Sequence, residues 1–123
     1  MNQRFRVKAL GSLSRMLGIE VRRDHPNGII TISQGSNIGE VLKRYGVDEC
    51  RGVTTPVEGK VKISAPESAD KPYEPKGMLG SLMYASTGTR PDIAYAVQQA
   101  ARRMKDPCRE DFSTCRRIFR YLS

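Results

Sequence analysis

Leu79–Val97, LGSLMYASTGTRPDIAYAV, is the stretch whose reading decides the fold. An apolar segment from Leu79 to Ala85 runs into a Ser-Thr-Gly-Thr break, and a second amphipathic segment restarts at once. The restart carries its own signals: Thr89 suits an N-cap, Pro91 the first turn, and Asp92 stands three residues after the cap. Beyond it Ile93, Ala94, Val97, Ala100, Ala101 and Met104 recur at helical spacing. Two apolar helices therefore meet at a tight corner around Gly88, and the other elements must pack on that pair.

Downstream, Asp106 and Pro107 open a last helix, in which Phe112, Cys115, Ile118, Phe119 and Leu122 form an apolar face. Arg109, Arg116, Arg117 and Arg120 lie off that face. With Arg102, Arg103 and Lys105 they make the densest basic cluster of the chain, a candidate phosphate contact or a solvated helix face.

Upstream, Leu17, Ile19 and Val21 alternate with Gly18, Glu20 and Arg22, the period of a strand with one buried face. Asn27-Gly28 is a favoured reversal, and Ile30 and Ile32 line the returning strand. Arg22 and Arg23 near the tip of this hairpin either contact phosphate or solubilise an exposed strand. Gln34–Tyr45 follows as a helix with Ile38, Val41, Leu42 and Tyr45 inward, weakened by Gly35 and Gly39 and dependent on tertiary support. Before the hairpin, Phe5 and Val7 alternate with basic residues, so Met1–Leu13 reads as a short strand or extended lead-in. Between the two halves, Arg51–Pro75 is rich in proline and charge, an irregular spacer strung along the surface. The expected architecture is α+β, an N-terminal β-hairpin followed by three to four helices, divided as 1–50, a spacer at 51–75, and 76–123.

Composition bounds the function. The chain of 123 residues is one domain at most, with 38% hydrophobic residues, enough to bury about two-thirds of its unfolded surface. No apolar run approaches the roughly 20 residues that span a bilayer. The start, MNQRFRVKAL, is basic without an apolar signal core, so an intracellular and not a secreted protein is expected. Cys50, Cys108 and Cys115, with the single His25, have no zinc-ligand spacing and read as reduced thiols. The net charge is +8: residues 1–24 carry six Lys or Arg against two acids, 25–88 are balanced, and 89–123 carry eight against four. Two basic ends around a neutral middle match a phosphate footprint, and equally the solvated faces of a small basic protein.

Several strings resemble the polymerase region of copia-type LTR-retrotransposon polyproteins. They are LGSL and LGIEV (Leu10–Leu13, Leu17–Val21), GIITISQ (Gly28–Gln34), IGEVLKRYGVDEC (Ile38–Cys50), GSLMY with TRPDIAYAV, and RRIFRYL (Arg116–Leu122). Their order and spacing run with the family over nearly the whole chain. The resemblance implies a palm–thumb-junction hairpin that positions the primer end, then thumb helices, then the start of the connection to RNase H. The chain ends at Tyr121-Leu122-Ser123, where the family continues, as a truncated reading frame would. It departs from the family at Ala9, where an acid is usual, at Glu74 after Pro72-Tyr73, where arginine is usual, and at Asp111-Phe112, where His-Trp is usual.

Nucleotidyl transfer requires metal ions held by clustered carboxylates. By resemblance, the family's magnesium-binding aspartates lie upstream of every residue here, so no catalytic residue, cofactor or metal ligand is expected. Tyr45-Gly46-Val47-Asp48-Glu49 mimics a Tyr-x-Asp-Asp box, but it follows a helical pattern instead of lying between strands, and reads as a loop with two surface acids. Glu110-Asp111 reads as a first helical turn, where acids favour the dipole. Two partner readings follow: sequence-independent binding of an RNA–DNA or DNA duplex, or self-association through an exposed apolar face.

Overall fold

The computed structural model describes residues 8–59, 75–105, 107 and 109–123. Phe5 and Val7, the spacer beyond residue 59, the Asp106 cap and Cys108 lie outside the described residues.

Three antiparallel strands come first, β1 (Arg15–Met16), β2 (Ile19–Asp24) and β3 (Ile29–Ser33), in the order β1-β2-β3. The hairpin at Asn27-Gly28 forms as read, with Gly28 at φ +65° and the Asp24 carboxylate accepting from the Asn27 side-chain amide at 2.7 Å. Strand β1 is an addition. Leu17 and Gly18 both adopt positive φ, at 53° and 77°, and turn the chain between Met16 and Ile19, as a two-residue hairpin loop requires. Leu17 thus sits in a turn and not in a strand.

The register pairs Met16 with Ile19, Val21 with Ile32 and Arg23 with Ile30, so these side chains share one face. Glu20, Arg22, Asp24, Thr31 and Ser33 share the other. The alternation is real, but the apolar face is not buried: Met16, Ile30 and Ile32 are 56%, 66% and 53% exposed. The ties to the helices come instead from the polar face and the turn. Glu20 accepts from the Ser36 hydroxyl, and the Tyr84 hydroxyl donates to the Leu17 carbonyl.

Helix α1 (Gly35–Arg44) follows directly and buries Val41 and Leu42, with Ile38 and Tyr45 packed on the same core. It ends where Gly46, at φ +60°, turns the chain and drops Val47 into the core. Asp48 and Glu49 are exposed on the turn that follows. Residues 50–59 then form an irregular strap, tied to the last helix at three arginines as described below.

Helices α2 (Pro75–Gly88), α3 (Ala94–Ala101) and α4 (Arg109–Leu122) complete the body, with a 3₁₀ turn at Pro91–Ile93 leading into α3. Met78, Leu79, Leu82 and Ala85 of α2 meet Ile93, Ala96, Val97 and Ala100, and Cys115, Ile118 and Phe119 of α4 close the core. Leu82, Ile93, Ala100, Cys115 and Ile118 expose nothing. The Tyr45 ring lies 5.5 Å from that of Phe119 and joins α1 to the same core. Ala94, read as inward, is exposed, and Ala96 takes the place. The 3₁₀ turn shifts the phase of the helix after Pro91, which is why the spacing misled at that position.

The corner at Gly88 is real, but its caps differ from the reading. Arg90, not Thr89, precedes the 3₁₀ turn, and it makes no side-chain cap. The Thr89 hydroxyl donates to Gln34 Oε1 at 2.9 Å. Asp92 takes Arg90, from Nε at 3.0 Å and Nη2 at 2.7 Å, and the Arg90 guanidinium stands 5.6 Å over the Tyr121 ring. The bonds from Arg90 hold the Asp92 carboxyl below its usual range.

A β-carbon on Gly88 would come within 2.6 Å of Gln34 Oε1, and Gln34 is 1% exposed with nowhere to retreat. Gly88→Ala therefore costs about 1–3 kcal/mol of overpacking, read as a lower urea midpoint. Adding Gln34→Ala recovers part of the loss in a double-mutant cycle. Burial, with the Asp111 carboxylate adding to it, raises the Cys115 thiol from 9.0 to about 11. The unfolded chain releases this proton first, so the contribution is whole below pH 9.0 and is lost as pH rises towards about 11. Chemical denaturation across that window shows a fall in stability that Cys115→Val lacks.

Candidate nucleic-acid interface

The basic side chains singled out in the sequence separate into four groups. Arg22 and Arg23 are exposed on β2 and, being consecutive in a strand, point to opposite faces of the hairpin. They do not form one patch. Arg102 and Lys105, at and beyond the end of α3, are exposed, and among the described residues neither has an ion-pair partner.

Arg103 differs from its neighbours. Its Nη2 lies 2.8 Å from Oδ1 of Asp111, a carboxylate only 1% exposed. Asp111 does stand in the first turn of α4, but its burial demands a counter-charge, and Arg103 supplies it. This pair pins the end of α3 to the start of α4, so Arg103 is a structural cation and not a free phosphate ligand. The sequence hinted at this only by placing an acid on the margin of the apolar face of α4.

Arg116, Arg117 and Arg120 do come together, and the 50–59 strap explains how. Arg117 donates from Nη1 to the Glu58 carboxylate at 2.9 Å and from Nη2 to the Thr55 hydroxyl at 3.1 Å. Arg120 Nε donates to the Arg51 carbonyl at 2.8 Å, and the Val53 amide donates back to the Arg120 carbonyl at 3.1 Å. Arg116 Nη2 reaches Cys50 Sγ at 3.6 Å. Between strap and helix lies an open cleft of about 760 Å³. Arg51 lines it too, a cation that sequence reading passed over because it stands at the edge of a proline-rich segment.

Among the described residues the carboxylates do not fit a metal pair. Asp48 and Glu49 are exposed on a turn after a helix, and Asp111 is taken by Arg103. Among the described residues no three His, Cys, Asp or Glu side chains gather as a metal ion requires. No helix among them is long and apolar enough to cross a membrane.

Comparison with known proteins shows what this chain is similar to. No family model and no solved structure matches the chain. The Pol polyprotein of transposon TNT 1-94 from Nicotiana tabacum is 33% identical over 99% of this chain, and that of transposon RE1 from Arabidopsis thaliana is 38% identical over 100%. The chain is thus a homologue of the retrovirus-related Pol polyproteins of transposons. These polyproteins are those of copia-type plant elements. It spans only 10% and 8% of those two polyproteins. An uncharacterized mitochondrial protein of Arabidopsis thaliana is 32% identical over 99% of the chain, which covers 50% of that protein.

Removing one partner of a buried ion pair strands the other charge. Arg103→Ala is expected to cost about 3–5 kcal/mol, measured by chemical denaturation. Arg102→Ala, one residue away, changes stability by less than about 0.5 kcal/mol.

Proposed function

We propose that this chain corresponds to the part of a copia-type reverse transcriptase that follows the catalytic aspartates. In this reading it holds a template–primer duplex and performs no chemistry of its own. The N-terminal hairpin and α1 supply the palm–thumb junction and the first thumb helix, and α2 to α4 supply the remaining thumb and the start of the connection. Whole-length homology to Pol polyproteins supports the element, and the agreement of the strings with the polymerase region supports the place within it.

The observation that carries the binding role is the set of exposed cations without an ion-pair partner among the described residues: Arg22, Arg23, Arg102 and Lys105, with Arg116 at the cleft. Guanidinium and ammonium groups left free in this way neutralise backbone phosphates without reading bases, and they release counterions as they bind. Arg103, Arg117 and Arg120, which the sequence placed in the same cluster, already serve the fold.

Fluorescence anisotropy of a labelled RNA–DNA hybrid tests the reading. If four phosphates are neutralised, affinity falls about a hundredfold between about 50 and 200 mM salt. Alanine at Arg22, Arg23, Arg102 and Lys105 together flattens that dependence by about 0.9 in log–log slope for each phosphate that is no longer neutralised. A helical protein that ignores the hybrid, or binds it equally at all salt concentrations, refutes the proposal.

A second reading rests on the apolar face of the sheet. Met16, Ile19, Val21, Ile30 and Ile32 share that face, and Met16, Ile30 and Ile32 are more than half exposed, which favours association through it. In sedimentation experiments such association holds or strengthens with kosmotropic salt, and Ile30→Lys with Ile32→Lys abolishes it. Nucleic-acid binding responds to salt in the opposite direction.

A further inference from the structure

We propose that the cleft between the 50–59 strap and α4 is a phosphate-binding pocket whose anion position is held, in the free chain, by Glu58. This inference shares only Arg116 with the duplex reading. It rests on residues that face one another across the cleft and not on the exposed cations of the hairpin and α3.

Four guanidinium groups line the cleft: Arg51 from the strap, and Arg116, Arg117 and Arg120 from two turns of one helix. Two carboxylates, Glu58 and Glu110, line it as well, so the cleft is cationic even with both ionised. The internal partners leave donors unused. A guanidinium carries five N–H donors in a fixed fork. Arg117 spends Nη1 on Glu58 and Nη2 on Thr55, while its Nε is buried with no acceptor. Among the described residues Arg116 reaches only a sulfur, a weak acceptor, at 3.6 Å. Arg120 spends Nε on a carbonyl.

The chemistry of the ligand follows from the donors. Several forks converging from two chain segments suit an anion with several oxygens on one centre. A phosphate group offers this, with charge-assisted and partly bidentate bonds. Glu58 marks where such a group would sit. Its side chain is 79% exposed, so its pairing with Arg117 is of the kind that contributes little. An incoming phosphate displaces Glu58 towards solvent, where a carboxylate is well hydrated. The phosphate comes from one of two sources, a free oligophosphate or the diester chain of a nucleic acid.

The test is a titration of the full chain, ¹⁵N-labelled, followed at the arginine Nε–Hε resonances at constant ionic strength. One arm uses pyrophosphate, and the other a single-stranded oligonucleotide with internucleotide diesters only. Saturable shifts of Arg116, Arg117 and Arg120 with pyrophosphate assign the pocket to a free oligophosphate, and shifts with the oligonucleotide alone assign it to chain phosphates. Arg51→Ala with Arg116→Ala, both at exposed positions, weakens binding about tenfold or more. Glu58→Gln removes the competing charge and tightens it several-fold. Arg22→Ala with Arg23→Ala leaves pyrophosphate binding unchanged, so failure here is separable from failure of the duplex reading. Shifts in neither arm, shifts that sodium chloride reproduces, or binding indifferent to both Glu58→Gln and the Arg51/Arg116 double variant overturn the proposal.

Discussion

The packing of one buried side chain on a bare backbone joins the two halves of this molecule. Gln34 ends the hairpin, begins α1, and lies against Gly88, where α2 turns towards α3. Thr89 donates to the same amide. Without a β-carbon at position 88 the strand-to-helix junction settles on the helix-to-helix corner, and α1 is set at the angle at which Val41 and Leu42 reach the core. A buried amide is expensive unless bonded, and the Thr89 hydroxyl bonds its oxygen, while its Nε2 has no partner among the described residues. Thr89 leaves the capping role that its place in the sequence suggests in order to fill this one.

A second constraint divides the arginines between architecture and surface. Helix α4 is amphipathic, and its polar side could have been left to water. Instead Arg117 and Arg120 reach across to the strap, and Asp111 draws Arg103 from the neighbouring helix. These bonds give an irregular segment with few apolar side chains a fixed course, through groups that keep donors to spare. The arginine-lined cleft is therefore also a cross-linked part of the molecule.

The sheet shows the opposite economy. Its strands alternate as a half-buried ribbon should, yet the helices meet the polar face, through Glu20 and Ser36, and the turn, through Tyr84 and Leu17. The apolar face looks outward.

Much of this was legible in the residues alone. Periodicity placed the hairpin, α1, the corner at Gly88 and the apolar face of α4, because a helical stripe or a strand alternation leaves its mark at fixed spacing, although the apolar face of the hairpin stays exposed. The motif order pointed to copia-type polyproteins, and homology along the whole chain agrees. What the residues could not supply was which partner each polar side chain would choose. Local spacing made Thr89 a cap, Arg103 a surface cation and Arg51 a spacer residue. Tertiary structure made the first a bond to Gln34, the second the counter-ion of a buried acid, and the third a wall of the arginine cleft. Hydrophobic burial is encoded by position along an element, so it is written in the sequence. Hydrogen bonds and ion pairs join atoms that are distant along the chain, 55 residues apart for Thr89 and Gln34, and only the folded chain decides them.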